Sequence, residues 1–174
     1  MRKTALALMV LGLSCTGGAS LRADQLEDGL SAYSSSDYQQ AALLVRPVAE
    51  AGNKEAQYVL GVMYDRGNGV PQDMVAAASW YARSANQGHA LAQYNLGAMY
   101  CEGLGVAFDP IQAYKWLNLA SANLSVGDQR DLAVRYRDRA RRKITREQLA
   151  EAQRQSQAVQ AMVARNAPIT LAPR

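Results

Sequence analysis

Few side chains in this 174-residue sequence could take part in catalysis or bind a metal. A Ser–His–Asp or Cys–His arrangement needs an imidazole to activate its nucleophile, and His89 is the single histidine. Cysteine and histidine are also the preferred zinc ligands, and beyond Cys15 the one further cysteine is Cys101. The acidic residues lack the spacing of a calcium loop. These observations predict a protein that is not an enzyme and needs no cofactor or metal.

Two glycine motifs, Gly67-Asn68-Gly69 and Gly103-Leu104-Gly105, superficially resemble phosphate-binding loops. A phosphate loop follows a strand and leads into Lys-Ser or Lys-Thr, and neither motif does so. They recur at a fixed offset, which predicts turns between helices. His89 stands at the start of a repeated helix where Asn53 stands in the preceding unit. We therefore expect His89 to be a solvent-facing helix cap rather than a catalytic base.

The N-terminal residues have the layout of a secretory signal peptide. Arg2 and Lys3 precede an apolar stretch at 5–13, and small residues lead to an alanine-ending site near Ala23. The stretch has nine residues, whereas a bilayer-spanning helix needs about 20. The pattern predicts cleavage near Ala23 and a periplasmic or secreted protein. Lipidation at Cys15 is the alternative, disfavoured because the residue three places earlier is not the usual leucine.

Charge is distributed unevenly along the chain that remains after cleavage. Residues 24–127 hold five Lys or Arg against ten Asp or Glu, and residues 128–174 hold eleven against five. The cationic side chains cluster in one stretch: Arg130, Arg135, Arg137, Arg139, Arg141, Arg142, Lys143 and Arg146. Such a run is a candidate nucleic-acid or anionic-surface site. The stretch has one aromatic residue and no nucleic-acid module, and it belongs to a chain predicted to be exported, so we favour a solvated helix face.

An internal repeat with an offset of 36 residues dominates the sequence. GNKEAQYVLGVMYDRGNGV at 52–70 matches GHALAQYNLGAMYCEGLGV at 88–106 at 11 of 19 positions. The same offset continues downstream through three pairs: Asp73 and Asp109, Ala77 and Ala113, and Trp80 and Trp116. Repeats of this length are typical of helical arrays.

Spacing within each unit predicts a helical hairpin. The packing residues recur at i, i+3, i+4 and i+7: Gln57, Leu60, Gly61 and Tyr64 in one helix, and Ala77, Trp80, Tyr81 and Ser84 in the next. Gly61 and Gly97 indicate close approach of the partner helix. Gly67 and Gly103 are predicted to end their helices in the left-handed conformation. Asp73 and Asp109 are predicted to be the N-caps of the helices that follow. The side chains of Trp80 and Trp116 are expected to be buried in the core.

The repeated unit resembles Sel-one-like repeats, which are relatives of the tetratricopeptide repeat. The resemblance is carried by these residues, by the core AQYxLGxMYxxGxGV and by the Ala-x-x-Trp of the second helix. The resemblance covers residues 52–123, and residues 24–51 resemble a tetratricopeptide hairpin. It implies an all-α fold, a right-handed α-solenoid of stacked helical hairpins with about eight helices.

Residues 124–165 are predicted to form C-terminal capping helices. Thr145 and Gln148 have the spacing of a capping box. The helix that follows carries a narrow apolar stripe, which we expect to cover the open end of the array: Leu149, Ala152, Ser156, Val159 and Val163. The tail at 166–174 contains two prolines and is expected to be disordered.

Helical arrays of this kind generally bind their partners on the face lined by the first helix of each unit. By resemblance to tetratricopeptide arrays, the partner-binding residues are Tyr58, Val62, Asp65, Arg66, Tyr94, Ala98 and Glu102, with Cys101 as the repeat counterpart of Asp65. We expect a non-enzymatic protein–protein interaction scaffold, or adaptor, of the bacterial envelope that binds a protein or peptide. The alternatives are binding or hydrolysis of β-lactams or cell-wall fragments, and anionic-surface or nucleic-acid binding through residues 130–146.

Overall fold

The computed structural model describes residues 17–166, which form eight α-helices. They are α1 (Gly17–Ser34), α2 (Tyr38–Glu50), α3 (Lys54–Arg66), α4 (Met74–Asn86), α5 (Ala90–Glu102), α6 (Pro110–Asn123), α7 (Asp128–Arg141) and α8 (Arg146–Asn166). The predicted all-α array of helical hairpins is confirmed. Cys15, most of the predicted signal peptide and the tail at 167–174 lie outside the described residues. Between residues 17 and 166, no helix has the length and apolar character needed to span a membrane.

Successive helices pack against each other from α1 to α7. Three neighbouring clusters form the core. The first includes Val45, Leu60 and Met63 from α2 and α3. The second joins Tyr81, Leu96, Trp116 and Leu119 from α4, α5 and α6, and the third joins Leu117, Ala133 and Ile144 at the C-terminal end. Each helix from α1 to α7 thus packs on its neighbours in the sequence, as expected for a stacked array.

The predicted helix ends are confirmed in both repeats. The carboxylates of Asp73 and Asp109 each accept hydrogen bonds from two backbone amides of the following helix, at 2.9–3.1 Å. Gly67 and Gly103 end α3 and α5 with φ angles of 73° and 72°. A side chain at such a left-handed position would be strained, which explains the recurrence of glycine.

The two helical glycines allow close contact within each hairpin, as predicted. A Cβ atom on Gly61 would lie 2.7 Å from the ring of Tyr81, and one on Gly97 would lie 2.6 Å from Cγ of Leu117. The tryptophans differ from expectation in one unit. Trp116 is buried, but Trp80 is only half-buried, with the Arg83 guanidinium 4.4 Å from its ring centroid.

Buried glutamines at equivalent positions of α3 and α5 each join three successive helices. Each side-chain amide donates to the C-terminal end of the preceding helix, and its oxygen accepts from the end of the following one. The bonds are Gln57 Nε2 to Ala49 O at 3.1 Å, Gln87 Nε2 to Gln57 Oε1 at 2.7 Å, Gln93 Nε2 to Ala85 O at 3.1 Å and Asn123 Nδ2 to Gln93 Oε1 at 3.1 Å. They fix the position of each hairpin relative to the next.

The C-terminal helices extend the array without repeating its unit. The capping box is confirmed, with Thr145 N donating to Gln148 Oε1 at 2.9 Å and Gln148 N donating to Thr145 Oγ1 at 3.2 Å. Helix α7 packs on α6 and α5, and α8 packs on α6. Val163 of α8 also contacts Gly88 in the turn between α4 and α5. Helix α8 therefore covers part of the preceding hairpin as well as the last one, a contact that the sequence did not predict.

Substitution of Gly97 by alanine tests the close approach of α5 and α6. The new Cβ must displace Leu117, and such overpacking costs about 1–3 kcal/mol, against a gain of about 1 kcal/mol in helix propensity. We expect a net loss of up to about 2 kcal/mol in the free energy of unfolding, measured by urea denaturation.

Ser79→Ala is the matched control, since Ser79 lies in the middle of α4 and its side chain is exposed to solvent. This variant should be at least as stable as the wild type because alanine is the better helix former. A Gly97→Ala protein with the stability of the Ser79→Ala protein would contradict the close approach.

Candidate functional site

Helices α3, α5 and α7 line an open groove made of two adjoining cavities, of about 270 Å³ and about 240 Å³. The cavities share Asp65, Tyr94 and Asn95. The groove contains every residue of the predicted binding set: Tyr58, Val62, Asp65, Arg66, Tyr94, Ala98 and Glu102. The fold therefore brings side chains from both repeats to one surface. That this surface binds a partner stays a prediction.

The larger cavity, here called the first cavity, combines apolar and aromatic side chains with polar and charged ones, among them Asp65 and Arg66. Tyr58 and Val62 come from α3 and Leu91 comes from α5. Gln129 and Leu132 of α7 form a further part of its lining. The sequence offered no signal for these two α7 residues, because α7 lies outside the repeat and has no counterpart that would give its register.

The smaller cavity, here called the second cavity, combines two carboxylates with apolar side chains. Asp65 and Glu102 lie in its lining together with Met74, Ala98 and Leu104. Its lining contains no Lys, Arg or His. This cavity is thus negatively charged, with apolar walls.

Tyrosine hydroxyls hold both carboxylates in place. The hydroxyl of Tyr81 donates to Asp65 Oδ2 at 3.0 Å, and that of Tyr136 donates to Glu102 Oε1 at 2.8 Å. Burial and the nearby Asp65 carboxylate raise the pKa of Tyr81. The hydrogen bond to Glu102, followed by burial, raises the pKa of Tyr136. Both phenols therefore remain neutral donors at neutral pH, and sequence reasoning had assigned neither of them to the site.

His89 caps α5, as predicted, but it is not solvent-facing. Its Nδ1 accepts from the Ala92 amide at 3.2 Å, and its Nε2 lies 3.0 Å from Glu55 Oε2. The ring stacks on Tyr58 with centroids 4.4 Å apart, which leaves the side chain 10% exposed. Burial lowers the pKa of His89 despite the adjacent Glu55. A neutral ring suits the cap, because Nδ1 must be free of a proton to accept.

Cys101 does not line the groove, although its repeat counterpart Asp65 does. Helix α7 packs over this part of α5, so that Cys101 is buried with its Sγ 3.8 Å from the Tyr136 carbonyl oxygen. The repeat offset alone would place Cys101 in the groove with Asp65, and the packing of α7 accounts for the difference. Burial raises the pKa of the thiol, which makes it a poor nucleophile at neutral pH.

The basic stretch mostly forms the exposed face of α7 and the turn after it. Arg130 donates to the Ser121 carbonyl oxygen at 3.1 Å, and Arg137 pairs with Asp138 of the same helix at 2.9 Å. The other cationic side chains of the stretch are exposed: Arg135, Arg139, Arg141, Arg142, Lys143 and Arg146. Three of these exposed residues, Arg135, Arg139 and Arg141, lie on α7, and the other three lie in the turn after it and at the start of α8. Among residues 17–166, no three His, Cys, Asp or Glu side chains are grouped as metal ligands.

Comparison with protein families identifies the repeated unit. Residues 54–89 and 90–123 each match the model of the Sel1 repeat. The chain contains two Sel1 repeats. No curated protein matches the chain in sequence. Sel1-repeat proteins generally act as protein–protein interaction scaffolds, and the Sel1 fold is typically non-catalytic.

Solved Sel1-like repeat structures share this fold. A protective antigen of uropathogenic Escherichia coli strains that displays an SLR fold aligns with 88% of this chain and 35% of its own, at 29% identity and a TM-score of 0.71. A Sel1 repeat protein from Oxalobacter formigenes aligns with 58% of this chain and 28% of its own, at 34% identity and a TM-score of 0.53. The chain spans about a third of the length of these two proteins.

Acidification should weaken the junction of the two Sel1 repeats through His89. Its pKa in the folded protein lies below the ordinary 6.5, so the unfolded chain binds the proton more readily. The stability that His89 contributes is present above its ordinary pKa of 6.5. It is lost as the pH falls from there through the lower pKa of the folded protein. On acidification, we expect the His89→Asn variant to lose less stability than the wild type. Asparagine keeps a capping side chain at this position, as Asn53 does in the preceding repeat.

The measurement is the free energy of unfolding of both proteins at about pH 8 and about pH 5. Carboxylates elsewhere titrate in both proteins, so their contribution cancels in the comparison. Equal losses in the wild type and in His89→Asn would show that protonation of His89 is not linked to folding.

Proposed function

We propose that this protein is a non-enzymatic scaffold of the bacterial envelope that binds a partner protein or peptide segment in the groove of α3, α5 and α7. The observation that carries the proposal is the convergence of seven side chains from two Sel1 repeats on one open surface. Tyrosine and arginine are enriched in protein interfaces, where they often dominate the binding energy. Tyr58, Tyr94 and Arg66 supply both residue types here.

The positions of His89 and Cys101, the side chains considered above for acid–base or nucleophilic catalysis, support a non-enzymatic role. Both ring nitrogens of His89 are engaged, one as a helix cap and the other with Glu55. Cys101 is buried under α7, and its pKa is raised. A general base or nucleophile must reach its substrate. The groove offers carboxylates and phenols instead, which suit recognition.

Export to the envelope is part of the proposal. The predicted cleavage site near Ala23 lies within α1, which continues to Ser34. Among residues 22–34 of α1, the side chains that pack on the array are Leu26, Ala32 and Tyr33, and the backbone of Gly29 lies against Val45. These contacts follow Ala23, so that a mature chain starting at Asp24 keeps them.

Site-specific photo-crosslinking in the intact envelope tests the proposed function. A photo-reactive residue at Val62 would lie in the first cavity. The same residue at Leu43 is the matched control, since Leu43 on α2 is 70% exposed and is remote from the groove lining. We expect discrete adducts with a partner protein from Val62 and none of the same mass from Leu43.

Substitution Tyr94→Ser, added to the Val62 crosslinking variant, should reduce the adduct at least about fivefold, because interface tyrosines are typical hot spots worth more than about 1 kcal/mol. Circular dichroism establishes that this variant still folds. Adducts that form equally from Val62 and Leu43, or that survive Tyr94→Ser unchanged, would contradict binding in the groove.

A further inference from the structure

We propose that the segment bound in the groove carries a lysine or arginine side chain, which the second cavity takes between Asp65 and Glu102. The inference rests on the proposed scaffold function and deepens it, since it names the chemistry that the groove recognises. It further assigns an apolar side chain of the same segment to the first cavity. The adjoining positions of the two cavities place these side chains close together along an extended segment.

The first reason is the charge of the second cavity. Asp65 and Glu102 both lie in its lining, and no cationic side chain does. Within residues 17–166, neither carboxylate is within 4.0 Å of a Lys, Arg or His nitrogen. A cationic side chain bound here would meet two carboxylates and no cation of the second cavity's own lining, since the cationic residue of the groove lining, Arg66, belongs to the adjoining first cavity.

The second reason is that both carboxylates are held in position before the partner arrives. The Tyr81 hydroxyl from α4 donates to Asp65, and the Tyr136 hydroxyl from α7 donates to Glu102. Each bond occupies an oxygen with a neutral donor and leaves the negative charge in place. Preorganised groups lose less conformational entropy on binding, and charge-assisted hydrogen bonds are roughly twice as strong as neutral ones.

The third reason is the match between the cavity walls and the stem of a long cationic side chain. Met74, Ala98 and Leu104 provide apolar surface, and Tyr94 provides an aromatic ring. Leu104 is 44% exposed, so an aliphatic stem lying on it would remove apolar area from water. Lysine and arginine combine such a stem with a charged head, and a cation is also attracted to an aromatic face.

The first cavity shares Asp65 with this site and adds Arg66 and a group of apolar side chains. Val62, Leu91 and Leu132 lie in its lining beside Tyr58. Leu132 is an exposed large hydrophobic residue of the protein surface. An apolar side chain of the partner would cover it. The segment that fits the whole groove therefore has a cationic residue next to an apolar one.

Affinity selection from four pools of short capped peptides tests the inference. The pools are identical except for one fixed central residue, which is lysine, arginine, glutamate or norleucine, with the flanking positions randomised among uncharged residues. Norleucine keeps the aliphatic stem and lacks the charge. The purified protein is incubated with each pool, and retained peptides are counted by mass spectrometry at low and at high salt.

We expect the lysine and arginine pools to be retained at least about tenfold over the other two, since neither glutamate nor norleucine can donate a charge-assisted hydrogen bond to the carboxylates. The Asp65→Asn, Glu102→Gln double variant should lose this preference. Both changes keep the shape of the side chain and its acceptor for the tyrosine hydroxyl. Glu50→Gln is the matched control, since Glu50 is exposed on α2 away from the groove, and it should keep the preference.

Three results would overturn the inference: equal retention of all pools, a preference that persists in the double variant, or no retained peptide. If Val62 still captures a partner in the envelope, the scaffold function stands and only the cationic assignment fails. Light scattering, which measures the molar mass in solution, tests the other candidate occupant of the groove, a second copy of this chain. A dimer that dissociates in the double variant, with no peptide retained, would assign the groove to self-association and overturn the proposal.

Discussion

The array depends on one interaction, a buried glutamine that binds the helices before and after its own. Gln57 and Gln93 stand at equivalent positions of the two Sel1 repeats, each with its amide nitrogen on the end of the preceding helix and its oxygen accepting from a residue at the end of the next. A buried amide is costly unless both ends are satisfied. This requirement leaves few ways to stack the hairpins, and the stacking sets α3 beside α5.

The groove follows from that stacking. Close contact at Gly61 and Gly97 draws each second helix against the first, and the inner helices of both repeats are then left to face a common surface. Helix α7 completes this surface, with Tyr136 bonded to Glu102. The result is a site in which two carboxylates accept hydrogen bonds from tyrosine hydroxyls beside apolar surface. This arrangement supports the proposed recognition of a partner by its charge and shape.

Sequence repetition explains which features could be predicted. Asp73, Gly97 and the groove side chains of α3 and α5 each belong to the internal match, so that one period gives their register and face. Helix α7 has no counterpart in the repeat, and its packing over Cys101 could not be deduced. The position of His89 was misjudged for a related reason. The capping hydrogen bond of His89 is formed with its own helix and could be predicted from the local sequence. The ring that shields it from solvent is that of Tyr58, which belongs to the preceding repeat.

Native-state hydrogen exchange on a Gln93→Met variant tests most directly whether the buried glutamine holds the repeats together. Methionine keeps the approximate volume and removes both hydrogen bonds. The account predicts faster exchange on both sides of the repeat boundary, at the end of α4 and the end of α6 as well as in α5, while the Gln57 junction between α2 and α3 stays protected. Exchange that accelerates in α5 alone, or not at all, would contradict it.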